Sequence, residues 1–489
     1  MLEVRKLKCS IIRDSRILHS NEKTTHSGHW SAVWRQFARS LIYKLQELGL
    51  RLSRTVQTCI APKRTYEQEA WPSEKHQINN RLLSFRAANM TERNLPPAFV
   101  TYGWCRTACI VSQSLGQHGV DVHVGDASPL AMSRFSKYCK SFIKLPDFFL
   151  QPDEYFDQVC EALKKTGAKV LLPCHEDVRI FCKYKDALPS DVHVMLPDWT
   201  TYNMVEDKFS VIEFVRKCGF PVPLTAEVTS LAALERLSQS IGWPAVIKTK
   251  VGNSAKGVRI VCNKEELFEN FQELVQRFEL PRERWPIIQQ FLPGEAAGVC
   301  VLYDKGQYIT AFAERYLRCK EPGKFGTSTL RETFDNESLI STALQIMNNL
   351  RWHGIAHLDF ISDKEGQFRL IEINPRLWGA LALAVFSGID FPYLWYSSVV
   401  GNLESGIFTP QIRKIKCRWI IGDCLALLEL IRRRKFEKAL EVLLPEKQCY
   451  HDDFNWRDPL PLIFEGLDYC TKFVRSRGSL NPTTRGMIR

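Results

Sequence analysis

The segment His357–Ala380, HLDFISDKEGQFRLIEINPRLWGA, constrains the fold more tightly than any other part of this chain. Its tetrapeptide Asp363–Gly366 is a turn signal between two runs rich in apolar and β-prone residues, so the segment predicts an antiparallel hairpin. A symmetric turn pairs Asp363 with Gly366, and extending the ladder pairs Asp359 with Leu370. Side chains along a strand alternate with period two. Asp359, Glu372 and Asn374 then share one face, and Leu358, Phe360, Ile371 and Ile373 fill the other. In this register Asp359 and Glu372 are diagonal neighbours, roughly 7–8 Å apart at the backbone. A turn of three or five residues would put Glu372 on the wrong face.

Two ionised carboxylates that close raise each other's pKa unless a cation sits between them. A hard cation with oxygen ligands resolves the conflict, and Mg²⁺ is typically held by one or two carboxylates plus substrate phosphates. The alternative is a solvated polar face of the hairpin.

The 489 residues suffice for two to four domains, and 45% hydrophobic with 25% charged residues is ordinary for a soluble globular chain. No apolar run reaches membrane-spanning length; Leu377–Val400 is broken by glycines, serines, Asp390 and Pro392. No signal-peptide pattern starts at Met1. The 16 cysteines are scattered without a CxxC pair, so neither a zinc ribbon nor a disulfide scaffold is suggested, and reduced thiols in the cytoplasm are the simplest reading. The net charge of +12 is uneven: residues 1–95 hold 17 Lys and Arg against 8 Asp and Glu. Within this basic extension, Trp34, Phe37, Leu41, Leu45, Leu48 and Leu52 recur at helical spacing. Such an amphipathic helix could lie in an anionic membrane interface, giving a peripheral location. The simpler reading packs the stripe on the protein's own body or on a protein partner. No nucleic-acid-binding motif accompanies the charge.

From Ala98 the pattern becomes strand–helix alternation. AFVTYG reads as a strand, Cys105–His118 as a helix, Val120–Asp126 as a strand, and Lys169–Pro173 as a strand after a helix near Tyr155–Lys165. This predicts a Rossmann-like parallel α/β domain over 96–200. The turn YGWCRTA has one glycine where a dinucleotide fold needs three, so Asp126 is expected to be a turn or cap residue. A helix over Val205–Cys218 follows. Ile241–Cys262 then reads as strand, glycine loop, strand, with Lys248 and Lys250 on one face. The loop Gly252–Gly257, with Lys256, could fold over phosphates, although a plain hairpin tip would look the same. A helix is expected over Glu337–Leu350, and another over Leu425–Leu443.

The order of these parts resembles the ATP-grasp superfamily, and more closely its carboxylate–amine ligases with carbamoyl-phosphate-synthase-like domains. The resemblance runs from about Ala98 to Val400, and IEINPRLWG is its most specific motif. It implies a mixed α/β and α+β architecture: a Rossmann-like domain, then an ATP-grasp domain over 201–400. The small lobe would occupy about 225–292 and the large lobe about 293–400, followed by a helical C-terminal region over 401–489. It further implies that Lys208 and Lys248 bind ATP phosphates, with Lys256 on the covering loop. Gln290, Phe291 and Leu292 would form the hinge that reads adenine, and Glu295 would hold the ribose. Many relatives carry glutamate where Gln290 stands. Asp359, Glu372 and Asn374 would ligate Mg²⁺ or Mn²⁺, with Glu372 bridging two ions, and Arg376 would stabilise the transferring phosphoryl group.

Arg315 and Arg331 fall in the segment that lines the acceptor side in relatives, where either could clamp a carboxylate. Arg106 and Glu176 sit at strand–helix junctions, where ligands meet α/β sheets but helix caps are commoner. The resemblance thus implies an ATP-dependent ligase joining small-molecule carboxylate and amine (or thiol) substrates through an acyl phosphate. A kinase without ligation, and a nucleotide-binding regulatory or membrane-associated protein, are the alternatives. The oligomeric state is not written in the sequence.

Overall fold

The computed structural model describes residues 95–253, 255–320, 326–402 and 412–475. The stripe Trp34–Leu52 therefore lies outside the described residues, as does most of the basic extension.

The first sheet is parallel throughout, in the order β3-β2-β1-β4: β1 Ala98–Val100, β2 Val122–Asp126, β3 Cys139–Lys144 and β4 Val170–Leu172. Strands β1 and β4 are three residues each and wholly buried, as parallel strands covered on both faces must be. Helix α1, Arg106–Gln117, starts where Cys105 accepts the Ala108 N–H, and α2, Pro152–Thr166, ends on Gly167 at φ 69°. A short α3, Val178–Lys183, follows β4. Asp126 accepts the Trp104 and Ser128 N–H groups, so it secures a turn as the sequence suggests.

The single helix expected over Val205–Cys218 is two. Helix α4, Trp199–Glu206, stops at Asp207, whose carboxylate accepts the N–H groups of Phe209 and Ser210 and starts α5, Lys208–Lys217. An aspartate competes for local backbone donors in this way, which favours a cap over a helix interior. The break places Lys208 on the first turn of a new helix.

A small antiparallel sheet follows, in the order β5-β8-β6-β7: β5 Thr225–Glu227, β6 Ala245–Lys248, β7 Val258–Val261, β8 Ile287–Gln290. Helices α6, Leu231–Ser240, and α7, Lys264–Arg277, are capped by Ser230 and Asn263 and bury Leu234, Leu267 and Phe271 against Ile247 and Ile288.

The largest sheet has the order β13-β12-β9-β10-β11-β14-β15. Its strands are β9 Ala296–Asp304, β10 Gln307–Cys319, β11 Ser328–Thr333, β12 Gly354–Ser362, β13 Phe368–Asn374, β14 Lys416–Arg418 and β15 Cys449–His451. All pairs are antiparallel except β14 with β15. Helix α8, Glu337–Asn349, covers one face by packing Leu339, Ala343 and Ile346 with Val299, Val301 and Leu358. Helices α9, Leu381–Ser387, and α10, Phe391–Val399, join the core of the first sheet through Leu381, Phe391 and Trp395.

The region after residue 400 is not purely helical. It adds β14 and β15 to the sheet, alongside α11, Ile420–Arg432. The expected helix Leu425–Leu443 is also two, because Arg434 adopts φ 56°. Helix α12, Phe436–Leu443, falls in a separate compact unit, and α13, Leu460–Arg475, closes the described chain. Among the described residues no helix is long and apolar enough to cross a membrane, and the described cysteines are free thiols.

Candidate active site

Strands β12 and β13 form the expected hairpin, with a different register. Ser362 pairs with Phe368 and the Asp363 N–H donates to Gln367 O at 2.9 Å, leaving a three-residue tip. That tip alone would put Glu372 on the wrong face. A bulge at Ile371 shifts the ladder by one more residue, so Asp359 lies directly opposite Glu372 rather than diagonal to it. The two offsets cancel and the carboxylates share a face. Ile371 leaves the core side for a small cluster with Leu292, Ala296 and Ile361. Its carbonyl accepts the Lys248 ammonium at 3.0 Å.

The hairpin opens onto a cavity of about 580 Å³. Of the residues expected at a site, Lys208, Lys248, Lys256, Gln290, Phe291, Leu292, Asp359, Glu372, Asn374 and Arg376 all line it. Asn374 Nδ2 reaches Asp359 at 2.9 Å and Glu372 at 3.4 Å. Lys208 Nζ lies 3.2 Å from Glu372 and donates to Gly252 O at 2.7 Å, tying the glycine loop to the hairpin. Arg376 donates through Nε to Glu176 at 2.9 Å, and the same Glu176 oxygen takes Asn253 Nδ2 at 3.0 Å. Glu176 stands after β4, so the first domain reaches the site.

The electrostatics are divided. Burial raises the Asp359 carboxyl, with Glu372 adding to it and His357 opposing. Burial also works against ionisation of Glu372, but the Lys208 and Lys248 ammoniums outweigh it and hold that carboxyl low. Burial brings Lys248 down to about 8 against the pull of Glu372, and brings Lys256 to about 8 with help from Lys320. The donor set Asp359, Glu372 and Asn374 is all oxygen once the amide turns its Oδ1 inward, which suits Mg²⁺ or Mn²⁺.

Four expectations need correction. Arg331 is fully buried and ion-paired to Asp452, outside the cavity. Arg315 pairs with Glu332 and lies 3.5 Å from Glu295. Glu295 itself is 66% exposed and turned toward Arg315 rather than into the cavity. Lys250 points away from Lys248, to Glu227 and the Glu283 carbonyl at 2.9 Å. For Arg315 the cause is parity: Glu314 and Tyr316, its neighbours on β10, line the cavity, and alternate residues face opposite ways. At the hinge, the Gln290 N–H is committed to Leu224 O at 2.8 Å, so it is not a donor for a base.

Sequence reasoning missed the group beneath Asp359. Tyr316 Oη donates to Asp359 at 2.8 Å and sits 3.0 Å from His357 Nε2, which is 3.4 Å from Glu314. Cys300, Glu314 and His357 place their ligand atoms within 4.8 Å of one another. Period-two alternation through Glu314 and Tyr316 was the available signal. Room for the imidazole depends on Gly298, where a Cβ would lie 2.4 Å from His357 Nε2 and 2.8 Å from Tyr316 Oη. Gly298→Ala is expected to lower stability by about 1–3 kcal/mol, the usual cost of overpacking. Urea denaturation checks this, and an unchanged midpoint would mean that His357 moves freely. Trp419, Glu465 and Tyr469 also line the cavity, from a tail that carries no short motif.

A lysine-bearing small sheet, a glycine loop tied to it and a carboxylate hairpin on a larger sheet together make an ATP-grasp fold. The family model described as "ATP-grasp in the biosynthetic pathway with Ter operon" matches residues 282–422. In sequence, the chain is 23% identical over 194 residues to the 2-oxoglutarate carboxylase small subunit of Hydrogenobacter thermophilus, covering 37% of this chain and 40% of that relative. The match thus spans well under two thirds of the relative's length. In fold, it resembles the N5-carboxyaminoimidazole synthetase from Staphylococcus aureus complexed with ADP, at 15% identity and TM-score 0.55, covering 74% of this chain and 92% of that one. It also resembles the L-amino acid ligase from Bacillus licheniformis, at 18% identity and TM-score 0.53, covering 66% and 79%.

Proposed function

We propose that this protein is an ATP-dependent ligase that activates a small-molecule carboxylate as an acyl phosphate and joins it to an amine. The observation that carries the reading is the meeting of Asp359, Glu372, Lys208, Lys248 and Arg376 in one cavity. A carboxylate is a poor acyl donor because its leaving group would be oxide. Transfer of the γ-phosphoryl group to it makes a mixed anhydride that an amine can attack. Such transfer needs positioning and charge neutralisation more than covalent help.

The residues fit these demands. Val246, Ile260, Leu292 and Ile371 supply an apolar slot for a flat base beside the Gln290–Leu292 hinge. Lys208 and Lys248 would hold ATP phosphates, and Lys256 with the glycine loop would cover them and exclude water. A bound Mg²⁺ or Mn²⁺, held by Asp359, Glu372 and Asn374, would neutralise phosphate charge and polarise the transferring group. Arg376, buried and kept charged beside Glu176, would stabilise the anhydride. Similarity to a synthetase and a ligase of the same fold supports the ligase reading over phosphorylation alone.

Hydroxylamine supplies the test. Incubated with ATP, Mg²⁺ and pooled carboxylates, the protein should form a hydroxamate with stoichiometric ADP, because hydroxylamine substitutes for the amine. Arg376→Ala should suppress hydroxamate and full reaction equally, since it acts on the shared phosphoryl-transfer step. A phosphorylated acceptor that resists hydroxylamine would instead establish a kinase.

A further inference from the structure

One part of the cavity wall is used by none of the residues assigned so far. Helix α13 presents Glu465 and Tyr469 to the cavity, beside Trp419 and Trp104. Trp419 Nε1 donates to Glu465 Oε1 at 3.0 Å. Glu465 is only 4% exposed, yet among the described residues its Oε2 makes no hydrogen bond. A buried carboxylate oxygen without a donor is costly, and its natural complement is a ligand that brings one.

The rings around it form a continuous wall. Tyr469 lies 6.2 Å from Trp419 and 6.3 Å from Trp104, centroid to centroid. Behind the wall, Tyr102 lies 5.6 Å from Trp104 and stacks at 4.3 Å on His175, which itself lines the cavity. Trp378 also lines the cavity, and among the described residues its indole N–H makes no hydrogen bond.

Charge decides which kind of ligand the wall suits. Arg106 lies 3.1 Å from Asp452, whose other guanidinium partner is Arg331. Asp453 spends its oxygens on the first N–H groups of α11, at 3.2 and 3.0 Å. Three carboxylates, Asp452, Asp453 and Glu465, thus face two guanidiniums. Burial raises the Glu465 carboxyl, and Asp453 adds to it. An incoming ammonium supplies the missing positive charge, whereas a carboxylate adds a fourth negative one. Aromatic faces also attract cations, and the Trp104 ring already carries the Lys472 ammonium at 3.8 Å, itself paired to Asp468.

We propose that this wall is the acceptor subsite, where Glu465 receives the nitrogen of a primary amine whose flat aromatic body packs on Trp419, Tyr469 and Trp104. The assignment rests on the ligase reading above and names its amine class. Arg106, whose guanidinium lies 4.0 Å over the Trp419 ring and donates to Gly379 O, positions that ring.

Calorimetric titration of the full-length protein tests it with three probes: 2-phenylethylamine, 3-phenylpropionate and propylamine. The aromatic amine should bind at least tenfold tighter than either of the others. Glu465→Gln, which keeps the shape and removes the charge, should reduce that preference over 3-phenylpropionate to within about threefold. The subsite is overturned if 3-phenylpropionate or propylamine binds as well as 2-phenylethylamine, if none binds, or if Glu465→Gln behaves as wild type. Should the variant fail to fold, the wild-type series still decides. The hydroxylamine assay is independent of this result: hydroxamate without amine preference removes the subsite alone. Amine preference with a hydroxylamine-resistant phosphorylated product removes the ligase reading and leaves the subsite standing.

Discussion

Glu372→Ala is expected to cut Mg²⁺-dependent ATP turnover by about 10²–10³-fold, the scale at which loss of one preorganised charge-stabilising group is felt. Glu372 is the anion between two ammoniums, 3.2 Å from Lys208 and strong enough to keep its own charge against burial. Without it Lys208 and Lys248 repel each other, and the Lys248 amine loses the carboxylate that opposes its fall to about 8. A phosphate chain would then meet a site with a poorer metal ligand and a less protonated lysine. The hairpin itself should survive, because Leu358, Phe360 and Ile373 hold its other face in the core. ADP release with and without Mg²⁺ measures the effect, with circular dichroism as the check on folding. Turnover at the wild-type rate would remove Glu372 from the metal site.

Arg331→Ala should act on stability, by about 3–5 kcal/mol, because it strips one partner from a buried ion pair. Both Arg331 and Asp452 have fully buried side chains, and the pairing ties β11 to the residue after β15. Arg106 stays within 3.1 Å of Asp452, which should keep the loss toward the lower end of that range. Urea denaturation of two variants, Arg331→Ala alone and with Asp452→Leu, separates the possibilities. The double variant should regain part of the loss, since Arg331 and Asp452 are then both replaced by uncharged residues, while Arg106 gives up its Asp452 partner. Were Arg331 instead a carboxylate clamp, the single variant would unfold like wild type and raise the KM for the carboxylate.

Local chemistry explains what could be read without coordinates. The turn residues, the period-two alternation and the cluster Asp359–Glu372–Asn374–Arg376 lie within 18 residues, so their mutual placement depends on little else. The compensating bulge at Ile371 was not legible, because its carbonyl is anchored by Lys248, 123 residues away in sequence. Arg315 and Arg331 looked functional by their charge and by falling in the segment that lines the acceptor side in relatives. Their neutralisation depends on Glu332 and on Asp452, and the latter is separated from Arg331 by more than a hundred residues of intervening chain. Strands β14 and β15 have three residues each, too few to show alternation. The parallel sheet was readable for the opposite reason: AFV and VLL are runs that only a two-sided core accepts.

The bonds between the first domain and the tail also set an order of events during synthesis. Gln113 and Ser136 both donate to Asp458, and Ser128 donates to Asp468, across 345, 322 and 340 residues. At the ribosome's pace of about 5–20 residues per second, these polar groups would emerge roughly 20–70 s before their acceptors. During that interval water must serve the hydroxyls and the amide. The face that later receives α13 thus combines these polar groups with the rings of Trp104 and Phe135, which wait for Tyr469 and Phe464. The end of the cavity lined by Glu465 and Tyr469 is finished last, after the lysine-bearing sheet and the carboxylate hairpin have already been made.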